Sequence, residues 1–554
     1  MPNFACTHER SASHNAPSDV GQHAKTRLPG GILFLFLTVF SVFTLGTEGT
    51  FASETGVVSS ASPEATDAGV EILNKGGNAI DAAIAVSLAL GVAEPAGSGL
   101  GGQTVMLIAR PNETPIVIHG TTLSPAATPE EPDRESLRIG HTATTIPSNL
   151  KVLNRAFEQF GSGAVAWSEV VAPAIGIAED GFELGRFRSL ALNHYAARIR
   201  KNEVATKLYL AKDGLPYREG ERFKQPVLAK TLKRIAKYGA EDFYHGDIAK
   251  EIAADMKANG GWLTLSDLEN FPEPPVVEPL LIKYRGLDVY TLPPPFGGWV
   301  VLRALQNLES GDPNAVREVG PSRSLALIDA LHEAHTARRE TPITDWRNAG
   351  TEISDRLRSD MDESGETTHF TIVDDDGAIV SVTQSIDGYF GAKAASPKLG
   401  FLYNNYMNSF EDDGPYKVGP AKAPLSSMSA TVVYEDGSPV LGLGSPASAR
   451  IISAVAQVVG YWIDVDRNIE SAVSAYRVHA SPPNIAYIES PEIDAETLSA
   501  LAKRDFELRR PFYGVAPGSL DPYFGGVHAV AKENGAWVGA ADPRRDGTSR
   551  LKDK

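Results

Sequence analysis

Two neighbouring threonines, Thr367 and Thr368, lie in mid-chain at the start of a strongly β-forming segment. A threonine hydroxyl within a chain is a poor nucleophile, because no base stands ready to take its proton. An N-terminal threonine carries that base itself, since its free α-amine has a pKa of about 8 and can accept the hydroxyl proton. A chain that cuts itself before Thr367 would therefore create a nucleophile for acyl transfer.

The elements predicted around these threonines leave a structural and a chemical interpretation open. Residues 369–373 and 378–383 are predicted as two strands of a hairpin, because an Asp-Gly turn joins two β-forming runs. Residues 340–366 are polar and irregular, which is typical of an exposed linker that tolerates a cut. The hairpin alone favours a structural role, since paired threonines are common in strands.

The composition of the chain excludes several classes of function. The 554 residues carry a formal net charge of -17 at pH 7, which argues against nucleic acid or an anionic membrane surface as a partner. Cys6 is the single cysteine, so neither an internal disulfide nor a cysteine metal cluster can form. His332 and His335 lack the spacing of the helical zinc motif and are interpreted as one face of a helix. No metal and no cofactor is predicted.

Residues 1–52 are predicted to be a leader and signal segment. An apolar run over 32–45 follows Lys25 and Arg27, and the small residues near Ala52 suit a signal peptidase. The run is shorter than a membrane-spanning helix, which needs about 20 apolar residues. An uncleaved signal anchor is the alternative. Both place the body of the protein outside the cytoplasmic membrane, so we predict a periplasmic or secreted protein.

The body of the chain shows helical patterns first and then strands and turns around a mid-chain junction. A helix that is apolar nearly all round is predicted to be buried and to end before Pro95. The arrangement predicts a sandwich of sheets covered by helices. The segment "PRRDG" near the C-terminus is interpreted as a structural salt-bridge turn. Other helical patterns occur over 62–75, 167–180, 228–239, 240–259 with a break near 244–246, 448–460 and 468–475.

Several sequence blocks, in this order and together, resemble those of the γ-glutamyltransferase family of self-cleaving N-terminal-nucleophile amidohydrolases. The resemblance extends from about residue 62 to residue 546. It implies an α/β fold, the four-layer αββα sandwich of these hydrolases. It also implies a large subunit over 53–366 and a small subunit over 367–554 that share one core. The blocks are "GGNAIDAAIA", "EPAGSGLGGQ", "APAIGIAEDGF", "TLPPPFGG", "TTHFTIVDDDG", "PLSSMSATVV", "GSPASARI" and "GAADPRRDG".

The catalytic residues follow from this resemblance. Thr367 is implied as the nucleophile, and the precursor would break between Glu366 and Thr367. Ser385 stands where the family has a second threonine, and it would orient the Thr367 hydroxyl. The backbone N–H groups of Ala447 and Ser448 match a Gly-Gly turn that forms the oxyanion hole. Such a donor stabilises the transition state by about 3 kcal/mol.

The substrate pocket departs from the family. Ser426 and Ser427 match a serine pair that holds the substrate carboxylate. The family also grips that carboxylate with an arginine, but the matching stretch 118–125 contains none, and Thr121 or Thr122 stands near that position. A hydroxyl cannot replace a bidentate guanidinium at equal strength. The positions that match the family's contacts to the substrate α-amine are Asp387, Tyr406 and Ser409.

Three hypotheses for the function follow. The first is an enzyme that hydrolyses or transfers a γ-glutamyl group from glutathione-like amides through a threonyl-acyl intermediate. The second is an acylase of the same mechanism for another acyl group, of glutaryl or dicarboxylic type, and the missing arginine separates it from the first. The third is a processing-deficient binding protein, against which the Thr367–Ser385 pair argues. The implied partners are a small amide substrate and the two subunits themselves.

Overall fold

Two antiparallel sheets form the centre of the computed structural model, which describes residues 55–340, 365–490, 493–509 and 519–553. The strands are β1 (Val57–Ser60), β2 (Gln103–Ala109), β3 (Ile116–Ile118), β4 (Phe182–Glu183), β5 (Arg222–Phe223), β6 (Val276–Val277), β7 (Leu280–Tyr284), β8 (Leu287–Thr291), β9 (Thr368–Val373), β10 (Ile379–Ser385), β11 (Thr431–Glu435), β12 (Ser438–Gly444), β13 (Val478–Ser481), β14 (Ile485–Ile488), β15 (Glu507–Arg509), β16 (His528–Glu533), β17 (Ala536–Ala541) and β18 (Thr548–Leu551). One sheet has the order β18-β1-β9-β10-β2-β3-β6 and the other β17-β16-β12-β11-β8-β7, while β13-β14-β15 and β4-β5 form two small sheets.

Helices cover the outer faces of both large sheets. They are α1 (Pro63–Asn74), α2 (Ala79–Ala93), α3 (Asn149–Phe160), α4 (Trp167–Asp180), α5 (Arg186–Ile199), α6 (Glu203–Tyr209), α7 (Pro226–Tyr238), α8 (Glu241–Tyr244), α9 (Asp247–Ala258), α10 (Leu265–Glu269), α11 (Gly298–Ser310), α12 (Pro321–Glu340), α13 (Arg450–Tyr461), α14 (Ile469–Ser474) and α15 (Ala495–Lys503). Helices α1, α2 and α3 pack on the seven-stranded sheet, with α4 outside α2. Helices α11 and α13 pack on the six-stranded sheet, and α12 packs on α11 and on β13 of a small sheet.

A largely apolar layer separates the two sheets. Successive side chains of a strand point to opposite faces, so alternate residues of each sheet meet in this layer. Val105, Leu107 and Ile379 come from the seven-stranded sheet, and Val432 and Val530 come from the six-stranded sheet. The order helix, sheet, sheet, helix confirms the four-layer αββα sandwich.

Helix α2 is the buried helix of the N-terminal half. Asn78 caps its N-terminus in a capping box with Asp81, and the helix ends two residues before Pro95. All of its residues except Gly91 are buried. A helix apolar nearly all round needs partners on every side, and here the central sheet, α1, α3 and α4 supply them. This confirms the prediction of a buried helix.

The predicted hairpin around the threonines is present, with longer strands than the pattern indicated. β9 begins at Thr368 and β10 ends at Ser385, because the pairing of Gln384 with Thr368 continues the ladder. Ser385 also pairs with Gln103 of β2, which holds the end of β10 on its other side. Most of the predicted linker, residues 341–364, lies outside the described residues, as does the predicted leader.

The predicted helices are largely confirmed, with shifted ends. The pattern over 240–259 is two helices, α8 and α9, separated at His245 and Gly246. α7 begins at Pro226 because proline suits the first helical position. α13 begins at Arg450, since Ala447 and Ser448 have positive φ and cannot lie in a right-handed helix. Among the described residues, no helix is both long and apolar enough to cross a bilayer.

Gly442 of β12 tests the packing between the sheets. A methyl group at Gly442 would lie 2.5 Å from Ile379 Cγ2 and 3.0 Å from Thr371 Cγ2 of the facing sheet. We expect Gly442→Ala to lower the free energy of unfolding by about 1–3 kcal/mol through overpacking. In the matched control, Gly176→Ala in α4, the new methyl meets no atom within 4 Å. The control should be neutral or stabilising by up to about 1 kcal/mol. Urea denaturation of both variants measures this, and equal effects would contradict it.

Candidate active site

The predicted nucleophile lies at the edge of the seven-stranded sheet. Thr367 directly precedes β9, and Ser385 is the last residue of β10. The antiparallel register brings the two side chains together, and Thr367 Oγ1 donates to Ser385 Oγ at 3.2 Å. Both residues are buried. The pair that the sequence placed 18 residues apart is therefore one hydrogen-bonded unit.

Ser385 also contacts the bond that is predicted to break, which is intact in this structure. Its hydroxyl donates to the carbonyl oxygen of Glu366 at 2.7 Å. Its oxygen accepts from the Asp387 N–H at 2.8 Å as well as from Thr367. The donor on the Glu366 oxygen polarises the carbonyl, while the hydrogen bond that Ser385 accepts orients the Thr367 hydroxyl. This geometry suits attack of Thr367 on the preceding carbonyl carbon.

A buried ion pair fixes the residue before the cut. Arg545 donates to both carboxylate oxygens of Glu366, at 2.8 and 3.0 Å. Burial alone would lower the pKa of Arg545, but the Glu366 carboxylate outweighs it and raises the pKa. One oxygen of Glu366 also accepts the Thr367 N–H at 2.8 Å. The guanidinium thereby holds the side chain, and with it the scissile peptide, in one orientation.

A second carboxylate lies behind this pair. Glu94 Oε1 is 3.9 Å from Arg545 Nη1, and Glu94 accepts a hydrogen bond from the Thr368 hydroxyl. Burial raises the pKa of Glu94 to about 8, although Arg545 acts in the opposite direction. Burial thus favours the neutral acid at Glu94, while Arg545 makes its two hydrogen bonds to Glu366.

The predicted oxyanion turn lies next to the cleavage site in a strained conformation. Ala447 has φ 95° and Ser448 has φ 51°, both in the left-handed half of φ/ψ space. Such residues cost about 1–3 kcal/mol each and occur at functional sites. Within the described residues the Ala447 N–H has no hydrogen-bond acceptor. A methyl group on Gly365 would lie 3.0 Å from Ser448 Cβ, so the turn and the segment before the cut are in contact.

The residues predicted to contact the substrate amine lie together beside Ser385. Ser409 Oγ donates to Asp387 Oδ1 at 2.8 Å. Burial raises the pKa of the Tyr406 phenol and the Asp387 charge adds to it, whereas the hydroxyls of Ser385 and Ser426 act against it. Tyr406 therefore lies between Ser385 and the predicted serine pair, Ser426 and Ser427. The carboxylate of Asp387 is the acid on this side of the site.

The serine pair contacts an arginine that the sequence did not indicate. Arg338, in the last turn of α12, donates to Ser427 Oγ at 2.8 Å and to the Ser426 carbonyl at 3.2 Å. Cations in the last turn of a helix are common because they suit its dipole, so the sequence carried no functional signal there.

Two other positions differ from the sequence-based expectation. Thr121 makes one long hydrogen bond, 3.4 Å, to the carbonyl of Thr122, and no hydrogen bond joins it to the site. The Thr122 hydroxyl is buried and donates to the Ile146 carbonyl at 2.6 Å, which is a structural role. In the "PRRDG" turn Arg544 has the expected structural role, since it pairs with Asp542 at 3.0 Å. Arg545 instead reaches the cleavage site.

The three histidines considered in or near the sequence motifs, His369, His332 and His335, lie in a strand and a helix of the fold. His369 is buried in β9, where its ring nitrogens contact Thr383 Oγ1 at 2.9 Å and Thr371 Oγ1 at 3.0 Å. Burial lowers its pKa well below the ordinary range. His332 and His335 lie in α12. The described residues contain no group of three or more His, Cys, Asp or Glu side chains arranged to hold a metal ion.

Comparison with solved structures shows that the fold of this chain occurs in a known protein. A cephalosporin acylase from Bacillus halodurans superposes with a TM-score of 0.76 at 23% identity, over 90% of this chain and 96% of that one. The sequence profile described as Gamma-glutamyltranspeptidase matches residues 65–361 and 326–551. The chain therefore belongs to the γ-glutamyltranspeptidase family, and it is an enzyme of that family.

Curated relatives with two kinds of name support this assignment. A glutathione hydrolase proenzyme of Escherichia coli (strain K12) is 33% identical over 473 residues, 76% of this chain and 80% of that protein. An acylase ACY 1 proenzyme of Pseudomonas sp. (strain V22) is 30% identical over 535 residues, 89% of this chain and 93% of that protein. Both relatives are named as proenzymes.

Ser385→Ala tests the contact with the scissile carbonyl. Removing the donor to the Glu366 oxygen and the acceptor for Thr367 should slow self-cleavage by about 100-fold. The appearance of two chains on a denaturing gel over time measures the rate. Ser381→Ala in the same strand is the control, because its hydroxyl bonds to the Leu443 carbonyl between the sheets, at 3.1 Å. Equal rates for the wild type and Ser385→Ala would contradict the assignment.

Arg545→Gln tests the ion pair at the residue before the cut. The Glu366 carboxylate would remain buried without its cation, so the free energy of unfolding should fall by about 3–5 kcal/mol. Self-cleavage should also slow, since the scissile peptide loses its fixed orientation. The double variant with Glu366→Gln removes both charges and should recover part of both losses. A double variant that is no better than Arg545→Gln alone would show that the pairing is not the cause.

Proposed function

We propose that this chain is a proenzyme that cuts itself between Glu366 and Thr367 and then hydrolyses or transfers the γ-glutamyl group of glutathione-like amides. The observation that carries the proposal is the contact of Ser385 Oγ with both Thr367 Oγ1, at 3.2 Å, and the Glu366 carbonyl oxygen, at 2.7 Å. Pairing within the hairpin alone does not require Ser385 to contact both the attacking hydroxyl of Thr367 and the Glu366 carbonyl.

Self-cleavage begins with attack of Thr367 Oγ1 on the Glu366 carbonyl carbon. Ser385 accepts the hydrogen bond of the Thr367 hydroxyl and so orients it. The Ser385 hydroxyl donates to the Glu366 carbonyl oxygen, on which negative charge develops. The C–N bond then breaks, the nitrogen takes the proton, and Glu366 is left as an ester on Oγ1. Water hydrolyses the ester. The products are a large subunit ending at Glu366 and a small subunit whose first residue is Thr367, with a free α-amine.

Turnover of a substrate repeats this chemistry with an external amide. The Thr367 α-amine takes the hydroxyl proton, and Oγ1 attacks the substrate carbonyl. The N–H groups of Ala447 and Ser448 would stabilise the oxyanion, and the Ala447 N–H is unused among the described residues. The amine leaves with a proton from the Thr367 ammonium. Water or an acceptor amine then resolves the threonyl ester.

An acylase for another acyl group, of glutaryl or dicarboxylic type, is the second candidate. The absence of arginine from residues 118–125 and the hydroxyl at Ser409 favour it, because both weaken the family's contacts to the glutamate α-carbon groups. Asp387 keeps one acid beside the site, which favours the γ-glutamyl substrate. The matched relatives include both a glutathione hydrolase and an acylase.

The proposal includes the form and location of the protein. The large subunit over 53–366 and the small subunit over 367–554 would remain one heterodimer, because strands from both sides of the cut alternate in the seven-stranded sheet. The signal segment over 1–52 supports a periplasmic or secreted location. A processing-deficient binding protein would have no use for the Thr367–Ser385 contact.

Intact mass of the purified protein, beside a Thr367→Ala variant, tests self-cleavage. The wild type should give two chains that separate between Glu366 and Thr367, and Thr367→Ala should remain whole, because it has no hydroxyl to attack. Thr371→Ala is the control within the same strand and should be cut. A wild type that stays whole after long incubation would favour the binding-protein hypothesis.

Paired substrates separate the two enzyme hypotheses. γ-Glutamyl-p-nitroanilide and glutaryl-p-nitroanilide differ only in the α-amine. Asp387 would accept a hydrogen bond from that amine. If the protein is a γ-glutamyl enzyme, kcat/KM should be at least about 10-fold higher for the γ-glutamyl amide, the value of one charge-assisted hydrogen bond. Equal or reversed values would favour the acylase.

A further inference from the structure

The cation that contacts the serine pair, Arg338, is hydrogen-bonded to neutral groups among the described residues. Arg338 Nη1 donates to Ser427 Oγ at 2.8 Å and Nη2 donates to the Ser426 carbonyl at 3.2 Å, and both acceptors are neutral. Within the part of the chain that the structure describes, no carboxylate lies within ion-pair distance of Arg338. The Glu411 and Tyr416 side chains influence it only electrostatically.

The environment of Arg338 makes that arrangement costly. Burial lowers the pKa of Arg338 to about 10, so the group is still protonated at neutral pH. A desolvated cation that meets only neutral acceptors has lost hydration without gaining a counter-ion. A guanidinium has five N–H donors in a planar fork that fits a carboxylate with two hydrogen bonds. A carboxylate of a ligand would therefore supply the anion that the described part of the site does not provide.

Arg338 is held rigidly and faces the catalytic centre. Ala334 and Ala337 of the same helix are buried in the core beneath the six-stranded sheet, which anchors the last turn of α12. The serine pair that Arg338 contacts lies next to Tyr406, whose phenol is influenced by the hydroxyls of both Ser426 and Ser385. A continuous set of polar groups thus leads from Thr367 through Ser385 and Tyr406 to Arg338.

We propose that Arg338, together with Ser427, binds a carboxylate at the end of the acyl group remote from the amide that is cleaved. The inference rests on the proposed function and specifies its substrate class as amides of an acyl group with a terminal carboxylate. Arg338 supplies the positive charge that residues 118–125 lack, from a different element of the fold. Asp387 and Ser409 lie on the amine side, so the site as a whole has complementary groups for a zwitterion.

Arg338→Gln tests this role in the processed enzyme. It should raise KM for glutaryl-p-nitroanilide and γ-glutamyl-p-nitroanilide by about 10- to 100-fold, since a charge-assisted pair is lost. The kcat/KM for butyryl-p-nitroanilide, which has no terminal carboxylate, should change by less than about 3-fold. Arg338→Lys should be intermediate, because a lysine keeps the charge but not the fork. Arg303→Gln is the control, since that arginine pairs with exposed Glu333 at 2.9 Å on the same face of helices α11 and α12.

A direct binding measurement keeps the inference separate from the activity. Calorimetric titration with glutarate should show binding to the wild type and about 10-fold or more weaker binding to Arg338→Gln. Equal affinity, or no binding to a wild type that is cleaved and hydrolyses butyryl amides, would overturn the role of Arg338 and leave the proposed function standing. A wild type that is neither cleaved nor active would overturn the proposed function, whereas glutarate binding that depends on Arg338 would still support the anion site. An equal loss of activity toward all three substrates would indicate a merely structural arginine.

Discussion

The antiparallel pairing of β9 with β10 is the constraint on which the rest of this structure depends. Its register places Thr367 opposite Ser385 and brings the predicted nucleophile, its hydroxyl partner and the carbonyl of the predicted cleavage site together. The strands on either side of the pair, β1 and β2, come from the chain before the cut. A break after Glu366 would therefore leave the ladder intact, and the two products would remain joined by backbone hydrogen bonds and by the apolar layer between the sheets.

The electrostatic design around the cut follows from burial. A carboxylate as enclosed as that of Glu366 requires a counter-ion, and Arg545 provides it with two hydrogen bonds. The nearby Glu94 is mostly protonated at neutral pH, because burial raises its pKa to about 8. The cluster thus balances its charge without a second anion. The positive φ values at Ala447 and Ser448 add backbone strain on the other side of the same bond.

The sequence predicted the parts of this arrangement that depend on local pattern. The hairpin, the buried helix α2 and a sandwich of sheets covered by helices follow from periodicity and turn residues. The four-layer order and the placement of Thr367 and Ser385 followed from a block-by-block resemblance. The roles of Arg338 and Arg545 could not be predicted, because both depend on contacts between segments far apart in sequence. Arg545 reaches Glu366 across 179 positions and Arg338 reaches Ser427 across 89. A helix-end cation and a basic turn have ordinary local explanations, and only tertiary structure shows what they face.

Burial of the site would also affect catalysis after cleavage, through the pKa of the new Thr367 amine. Cleavage at the proposed position would create an α-amine on Thr367 and an α-carboxylate on Glu366 in a site where both residues are enclosed. Desolvation disfavours the charged form of an amine and lowers its pKa, so more of the Thr367 amine would be in the neutral, proton-accepting form at neutral pH. A charged Glu94 would oppose this by stabilising the ammonium, but its raised pKa keeps it largely neutral. The enclosure of the β9 edge and the protonation of Glu94 therefore favour the neutral amine, whereas the Glu366 carboxylate, which accepts the Thr367 N–H at 2.8 Å in the intact chain, favours the ammonium.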